Sequence, residues 1–257
     1  MNFRFLKKVN LTKKGIKLGI IFLFVSMVTI KVIYDINSND SITAKEEYEY
    51  LKETMSLSSI VNQDDYVVQR INEKYRNSNI EVYYPVTKYE VLNKEINSII
   101  DGKINKFISD IKDDVEYSLF INFDMYKYEN NHISFLFHVL IDYAGAHPNT
   151  YMFTVNYSIK EKSIINIDTL IQKYNNILNL MSKYSYNSLL NNDKIKEINM
   201  INMLESGTKP TKENFDNFVF SKNGLIVFFE KYQIAPYAYG EFWITIPYEE
   251  LNLKFNG

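Results

Sequence analysis

Three runs of alternating apolar residues, separated only by short breaks, constrain the fold of this chain more than any other feature. They cover residues 117–128, 132–143 and 151–159, and the first break is Glu129-Asn130-Asn131. A period of two is the pattern of a strand that buries one face. Because short turns join antiparallel strands, we predict an antiparallel meander of three strands.

A helical pattern precedes the meander. Apolar residues recur there at three- and four-residue spacing, and they predict one amphipathic helix over residues 89–114 that packs on one face of the sheet. They are Leu92, Ile96, Ile99, Ile100, Ile104, Phe107, Ile108 and Ile111. Before the helix, residues 80–86 are predicted to form a strand, and Pro85 indicates that it lies at the edge of a sheet or that the strand ends there.

The second half of the chain repeats this mixture of helix and strand. Apolar periodicity over residues 174–204 predicts one or two helices, which we interpret as a helical hairpin. Strands are predicted at 218–221, 225–229 and 242–246, with Asn223-Gly224 as a hairpin turn. The expected fold class is therefore α+β: antiparallel sheets packed on a long amphipathic helix and on a second helical hairpin. We predict subdomains at 66–160 and 161–257.

The N-terminal region predicts a membrane anchor. Residues 18–30 carry no charge, and allowing Lys17 and Lys31 to reach the interfaces extends the apolar stretch to 15–34. Twenty helical residues span about 30 Å, the thickness of the hydrocarbon core. Basic residues before this stretch predict a short cytoplasmic tail at 1–14, a transmembrane helix at 15–34, a polar stalk at 35–65 and a folded part outside the cell. A cleavable signal peptide is the competing interpretation, but no small-residue cleavage site follows the run closely.

Charge is divided unevenly along the chain. Residues 1–34 hold seven basic and no acidic residues, so the remaining 223 carry 29 − 7 = 22 basic against 31 acidic side chains, a net charge of −9. Such a domain repels nucleic acid and anionic wall polymers and steers a basic protein toward it. The alternative is that this charge only keeps the domain soluble.

No catalytic constellation is visible. The chain has no cysteine and three histidines, and the histidines lack the spacing of metal ligands. The adjacent carboxylate pairs point in different directions, which is unsuitable for acid–base work. Nucleophile elbows and phosphate-binding glycine loops are also absent. We therefore predict a protein that is not an enzyme and uses no cofactor or metal.

Two short stretches are candidates for binding. The first, residues 232–240, lies between two predicted strands and presents Tyr232, Tyr237 and Tyr239, with Pro236 and Gly240 as turn residues. Loops held between strands often carry binding residues, and tyrosine offers a rigid face with a polar tip. The second, residues 144–149, contains His147 and Asn149. In both stretches the alternative is a structural role: the tyrosines cap the core and the histidine turn fixes strand geometry.

Residues 232–240, followed by Ile246-Pro247-Tyr248, together with the histidine turn at 144–149, resemble the extracytoplasmic domain of RsiV-type anti-sigma factors. The resemblance covers about residues 66–251. That domain binds lysozyme, and the same module precedes the catalytic domain of some membrane-anchored polysaccharide deacetylases. The resemblance implies partner-binding residues, which are Tyr232, Pro236, Tyr237, Tyr239, Gly240, His147 and Asn149.

The chain departs from both relatives. A tail of about 14 residues is too short to hold a stable helix against a sigma factor, so a sigma-factor partner is not expected. No catalytic domain follows the module before Gly257. The expected function is a lysozyme-binding protein of the cell membrane, acting as a decoy or inhibitor. Two alternatives stay open: an anti-sigma factor controlled by proteolysis, and a glycan- or peptidoglycan-binding module that stacks sugars on its tyrosines.

Overall fold

The computed structural model describes residues 9–10, 65–129 and 131–253. Apart from residues 9–10 and 65, the predicted tail, the anchor at 15–34 and the stalk at 35–65 lie outside the described residues. Within the described ranges, no helix is both long and apolar enough to cross a membrane.

A seven-stranded sheet forms the first layer, and its spatial order follows the chain. Its strands are β1 (Val9–Asn10), β2 (Tyr66–Tyr75), β3 (Ser78–Thr87), β4 (Ser118–Tyr128), β5 (His132–Asp142), β6 (Asn149–Ser158) and β7 (Ser163–Ile165). Every neighbouring pair is antiparallel except β3 and β4. The predicted meander is confirmed in β4, β5 and β6.

Helix α1 (Glu90–Asp110) joins β3 to β4 and makes that pair parallel, as a crossover connection does. The parallel ladder includes only Asn79–Val82 of β3, so Pro85 lies beyond it, where its missing N–H costs no ladder bond on that side. The sequence reasoning predicted one strand at 80–86 and missed β2. Polar and charged residues within β2 hide its alternation, and its pairing with β3 compensates.

The first core lies between α1 and one face of the large sheet. Every second residue of β5 points into it, including Ile133, Phe135 and Phe137, each fully buried. The apolar stripe of α1 covers them with Leu92, Ile96, Ile100, Ile104 and Phe107. The predicted helix is confirmed, but it ends at Asp110 and not at residue 114, because Ile111 already has extended backbone angles.

The second core joins four short helices to a three-stranded sheet. The helices are α2 (Ile167–Lys173), α3 (Ile177–Leu190), α4 (Asp193–Ile198) and α5 (Ile201–Gly207); the strands β8 (Phe218–Ser221), β9 (Gly224–Phe229) and β10 (Phe242–Ile246) lie in the order β10-β9-β8. The predicted helical hairpin is therefore wrong. Asn176 and Asn199 take left-handed angles and Asn192 caps α4, so asparagines interrupt the apolar periodicity.

Strand β8 packs the small sheet against the outer face of the large one. The Phe220 N–H donates to Ser134 Oγ at 3.1 Å, and Asn156 Nδ2 donates to the Phe218 carbonyl at 2.9 Å. Leu136, Met152, Val219 and Phe228 form an apolar cluster between the sheets. This contact brings the loop between β9 and β10 beside the turn between β5 and β6.

Candidate binding surface

The β9–β10 loop, residues 230–241, is held from below by one glutamine. Gln233 Nε2 donates to the carbonyls of Gly207 and Asn214, each at 3.0 Å. Its Oε1 accepts from the Glu230 N–H at 3.0 Å. Ile234 and Ala235 are buried beside it. The base of the loop is therefore fixed to the second core, as a preorganised binding loop requires.

Gly207 makes this attachment possible through its small size. A Cβ atom at this position would lie 2.1 Å from the Gln233 carbonyl oxygen and 2.7 Å from the side chain of Ile234. No side chain fits in that space, so the loop approaches the end of α5 only because residue 207 is glycine.

The upper part of the loop carries the tyrosines. Tyr237–Tyr239 form one 3-10 turn that begins after Pro236 and ends at Gly240, whose φ of +76° suits glycine. Tyr232 also has a left-handed φ, +67°, which costs a residue with a Cβ about 1–2 kcal/mol. Strained positions of this kind persist where the surrounding structure demands them, and they cluster at functional sites.

Tyr237 is the centre of the aromatic contacts. The His147 ring stacks on it at 4.8 Å between centroids and 30° between planes. Tyr232 lies 5.6 Å from it on the loop itself, and Lys231 Nζ sits 4.4 Å from its centroid. The two stretches singled out in the sequence therefore meet. We call Tyr232, Tyr237, Tyr239 and His147 the aromatic surface.

Exposure supports a binding role for this surface. Six large apolar or aromatic residues are exposed within the described residues, and three of them fall between positions 232 and 243. They are Tyr232 at 62%, Tyr239 at 37% and Trp243 at 66%. Exposed aromatic side chains that lie beside other aromatic rings are typical of interaction sites, and Tyr232 meets this description through its contact with Tyr237.

Trp243 was not among the predicted site residues. It is the second residue of β10 and stands on the opposite side of the strand from Phe242 and Ile244, which enter the core. The alternation of residues 242–246 already indicates this outward position, and it is the sequence signal that identifies Trp243.

Other predicted site residues have different surroundings. Asn149 is the exposed first residue of β6 and pairs with Ile141, beside the histidine turn. Tyr248, part of the resemblance, lies past the far end of β10, where its hydroxyl donates to the Ser221 carbonyl at 2.7 Å and burial raises its pKa. Tyr248 therefore has a structural role, away from the aromatic surface.

A carboxylate connects the loop to the sheet edge. Glu230 Oε1 accepts from the Met152 N–H at 3.1 Å and from Asn217 Nδ2 at 3.2 Å. Burial raises the pKa of Glu230, and Glu241 adds to the rise. Nearby, Lys103 Nζ lies 4.7 Å from the Tyr151 ring and 4.4 Å from the Phe153 ring, and burial lowers its pKa. These groups brace the β6 edge that follows His147.

No group of three or more histidine, cysteine or acidic residues that could hold a metal ion occurs in the described part of the chain. The aromatic surface presents flat rings, tyrosine hydroxyl groups and one imidazole, and Lys231 beside Tyr237 adds one ammonium group.

Part of the chain matches a known protein family, and two crystal structures are similar to its fold. Residues 162–249 match a family described as "Protein of unknown function (DUF3298)". This range includes the whole β9–β10 loop and excludes His147.

Two crystal structures share the fold. One is a DUF3298 family protein from Pseudomonas aeruginosa PAO1, with a TM-score of 0.52 and 11% sequence identity. The other is a member of the same family from Bacteroides fragilis NCTC 9343, with a TM-score of 0.50 and 16% sequence identity. They cover 74% and 76% of this chain, and 94% and 93% of their own chains, respectively. These comparisons confirm the α+β fold class.

Among curated proteins, the chain is similar to the peptidoglycan-N-acetylmuramic acid deacetylase PdaC of Bacillus subtilis strain 168. The two are 27% identical over 174 residues, which make up 65% of this chain and 37% of PdaC. The chain thus matches little more than a third of that enzyme's length. The predicted resemblance to a module of polysaccharide deacetylases is confirmed at this level.

Proposed function

We propose that this chain is a membrane-anchored binding module of the bacterial cell envelope whose partner is a basic protein, lysozyme. The observation that carries the proposal is the stacking of His147 on Tyr237. It joins the two stretches on which the resemblance to lysozyme-binding domains rests. Without this contact they would be two unrelated turns.

The composition of the surface suits a protein partner. Tyrosine and tryptophan dominate the energetic centres of protein interfaces because they bury a large rigid area and still offer a hydrogen bond. The loop is already held by Gln233, so binding has little ordering entropy to overcome.

Charge supports a basic partner. The net charge of −9 over residues 35–257 attracts a cationic protein over several ångströms, and salt weakens that attraction. Lys231 lies beside the aromatic surface and Glu241 follows the loop in sequence, so attraction at long range comes from the domain as a whole. At short range, the rings of the aromatic surface then provide the specificity.

A glycan is the second candidate ligand, and one comparison favours it. PdaC is named as a deacetylase of the N-acetylmuramic acid of peptidoglycan. A module that accompanies such an enzyme is well placed to hold its polymer, and exposed aromatic rings stack on sugars. In this alternative the same surface binds saccharide.

Isothermal titration calorimetry of the full chain with hen lysozyme at low and high salt tests the proposal. We expect saturable binding that weakens with salt, and an assay of muramidase activity then separates an inhibitor from a tether. Absence of binding to lysozyme, together with saturable binding of peptidoglycan fragments, would overturn the proposal in favour of the glycan.

One strand pairing in the structure is incompatible with the proposed anchor. In the structure, Val9 and Asn10 pair with Arg70 and Gln69 of β2. A helix spanning the membrane at 15–34 would place residues 9–10 and β2 on opposite sides, so the pairing and the anchor exclude each other. Because the chain has no cysteine, single substitutions Asn10→Cys and Ser38→Cys report accessibility cleanly. With the anchor, an impermeant maleimide applied to whole cells labels position 38 and leaves position 10 unlabelled; labelling of both rules the anchor out.

A further inference from the structure

A second site lies far from the aromatic surface, at the other end of β5 and β6. A cavity of about 240 Å³ opens there among the start of β5, the β6–β7 turn, α2 and Phe220 of β8. The ten residues of β6 separate it from the histidine turn, which is about 30 Å along a strand. A ligand here would not touch the aromatic surface.

Two buried polar side chains form the floor of this cavity. His132 and Ser158 are paired across β5 and β6, and they are 5% and 3% exposed. The His132 ring stacks on Phe220 at 4.1 Å, which fixes its plane. Ser158 Oγ accepts from the Glu161 N–H at 3.1 Å, and no acceptor for its own hydroxyl hydrogen occurs within the described residues. A buried donor of this kind is costly unless something accepts from it.

The rim of the cavity is cationic. Lys160 and Lys173 line it with one acid, Glu161, which pairs with Lys173. The formal charges of these three lining side chains sum to +1, in a domain that is strongly negative as a whole. A local excess of positive charge over a buried hydroxyl donor selects an anion.

The remaining walls decide what kind of anion fits. Ile165, Leu170 and Phe220 are buried and apolar, so they suit a carbon skeleton more than a fully hydrated inorganic ion. The volume is below the roughly 300–1,000 Å³ of sites for drug-sized ligands, so only a small group enters.

We propose that this cavity binds the carboxylate of a small organic acid, with its oxygens against Ser158 and His132 and its charge balanced by Lys160 and Lys173. The acid is either a free molecule or the C-terminal residue of a longer chain, since both present the same group. Burial lowers the pKa of His132 to about 4, so at neutral pH its imidazole is uncharged, and a bound anion raises that pKa.

Nuclear magnetic resonance of the histidine side chains in the full chain tests the site, because only three histidines contribute signals. The probes are butyrate for a free acid and N-acetyl-leucine for a chain terminus, each compared with its uncharged amide. We expect the acids to shift the His132 signals saturably and to raise its pKa, while the amides leave both unchanged. A response to both acids indicates a general acid site, and a response to N-acetyl-leucine alone indicates a chain terminus.

Substitutions locate the ligand within the cavity. Lys160→Gln and Ser158→Ala should each weaken binding of the responding acid roughly tenfold, the cost of one charge-assisted hydrogen bond. Lys183→Gln changes the charge equally on an exposed position of α3 and should leave binding unchanged. No saturable shift with either acid overturns the site, as does equal binding of the amides or equal weakening by Lys183→Gln.

Discussion

The two ends of β6 show how one strand supports two different kinds of surface. At the His147 end, exposed aromatic rings stand on a braced loop. At the Ser158 end, polar side chains are buried at the floor of a small cavity. An exposed aromatic surface suits a macromolecule, and a cavity of about 240 Å³ suits a small group. The difference comes from the small sheet: its β9–β10 loop projects beside one end of β6, while Phe220 lies against the other.

The largest expected effect comes from breaking the attachment of the loop. Gly207→Ala forces a Cβ to 2.1 Å from the Gln233 carbonyl, so backbone must move and Gln233 loses its hydrogen bonds. We expect the free energy of unfolding to fall by about 2–4 kcal/mol in urea titrations. Lysozyme affinity should fall as well, because the tyrosines lose their support.

Gly102→Ala is the matched control. Gly102 lies in α1 with nothing within 4 Å of its would-be Cβ, so alanine should stabilise the domain by about 0.5–1 kcal/mol. Equal stability of the two alanine variants would show that the α5–loop contact is not tight.

The cavity end should control acid stability. The pKa of His132 is about 4 in the folded chain against about 6.5 in the unfolded chain, so the unfolded chain binds the proton first. The contribution of His132 to stability is therefore full above pH ~6.5, falls as pH drops toward ~4 and then levels, with a total loss on the order of 3 kcal/mol. Unfolding titrations from pH 7 to pH 4 measure the loss.

His132→Phe keeps an aromatic ring beside Phe220 and removes the titrating group, so most of this acid loss should disappear. Val91→Ala, an exposed substitution on α1 that involves no titrating group, should leave the loss unchanged. If the His132→Phe variant still loses as much stability between pH 7 and pH 4, the acid sensitivity comes from other groups.

The aromatic end should respond in affinity more than in stability. Tyr237→Ala removes the ring that contacts both His147 and Tyr232, and we expect a loss of about 2 kcal/mol or more in lysozyme binding by calorimetry. Tyr237→Phe should retain most of the affinity, because the ring stays. Val91→Ala removes an exposed apolar side chain from α1 and serves as the control. An unchanged affinity in folded Tyr237→Ala would assign the tyrosines a structural role.

The smallest effect should come from Glu230. Since burial raises the pKa of Glu230, its carboxyl stays protonated to a higher pH in the folded chain than in the unfolded chain. This group therefore lowers stability as pH rises above the pKa that the carboxyl has in the unfolded chain. Glu230→Gln retains an oxygen that accepts from Met152 and Asn217. We expect it to raise stability at pH 7 by less than about 1 kcal/mol, and to make no difference at pH 4. A gain that persists undiminished at pH 4 would show that charge is not its source.

Local periodicity by itself determined most of the elements of this protein. The apolar residues of β4, β5, β6 and α1 repeat with periods that only a buried sheet face and a helix stripe satisfy, so their positions were predictable. The outward position of Trp243 follows from the same rule. Where polar residues interrupt the pattern, as in β2 and at the asparagines between the short helices, sequence reasoning missed an element or merged several.

Only the tertiary structure decided the sites. His147 and Tyr237 lie far apart in the chain and meet because β8 packs on β5 and β6 through Ser134 and Asn156. His132, the first residue of β5, is buried because the same contact places Phe220 on its ring. Both outcomes depend on how one sheet packs on another, and that arrangement is set by side-chain shape and a few buried hydrogen bonds that leave no periodic mark in the sequence.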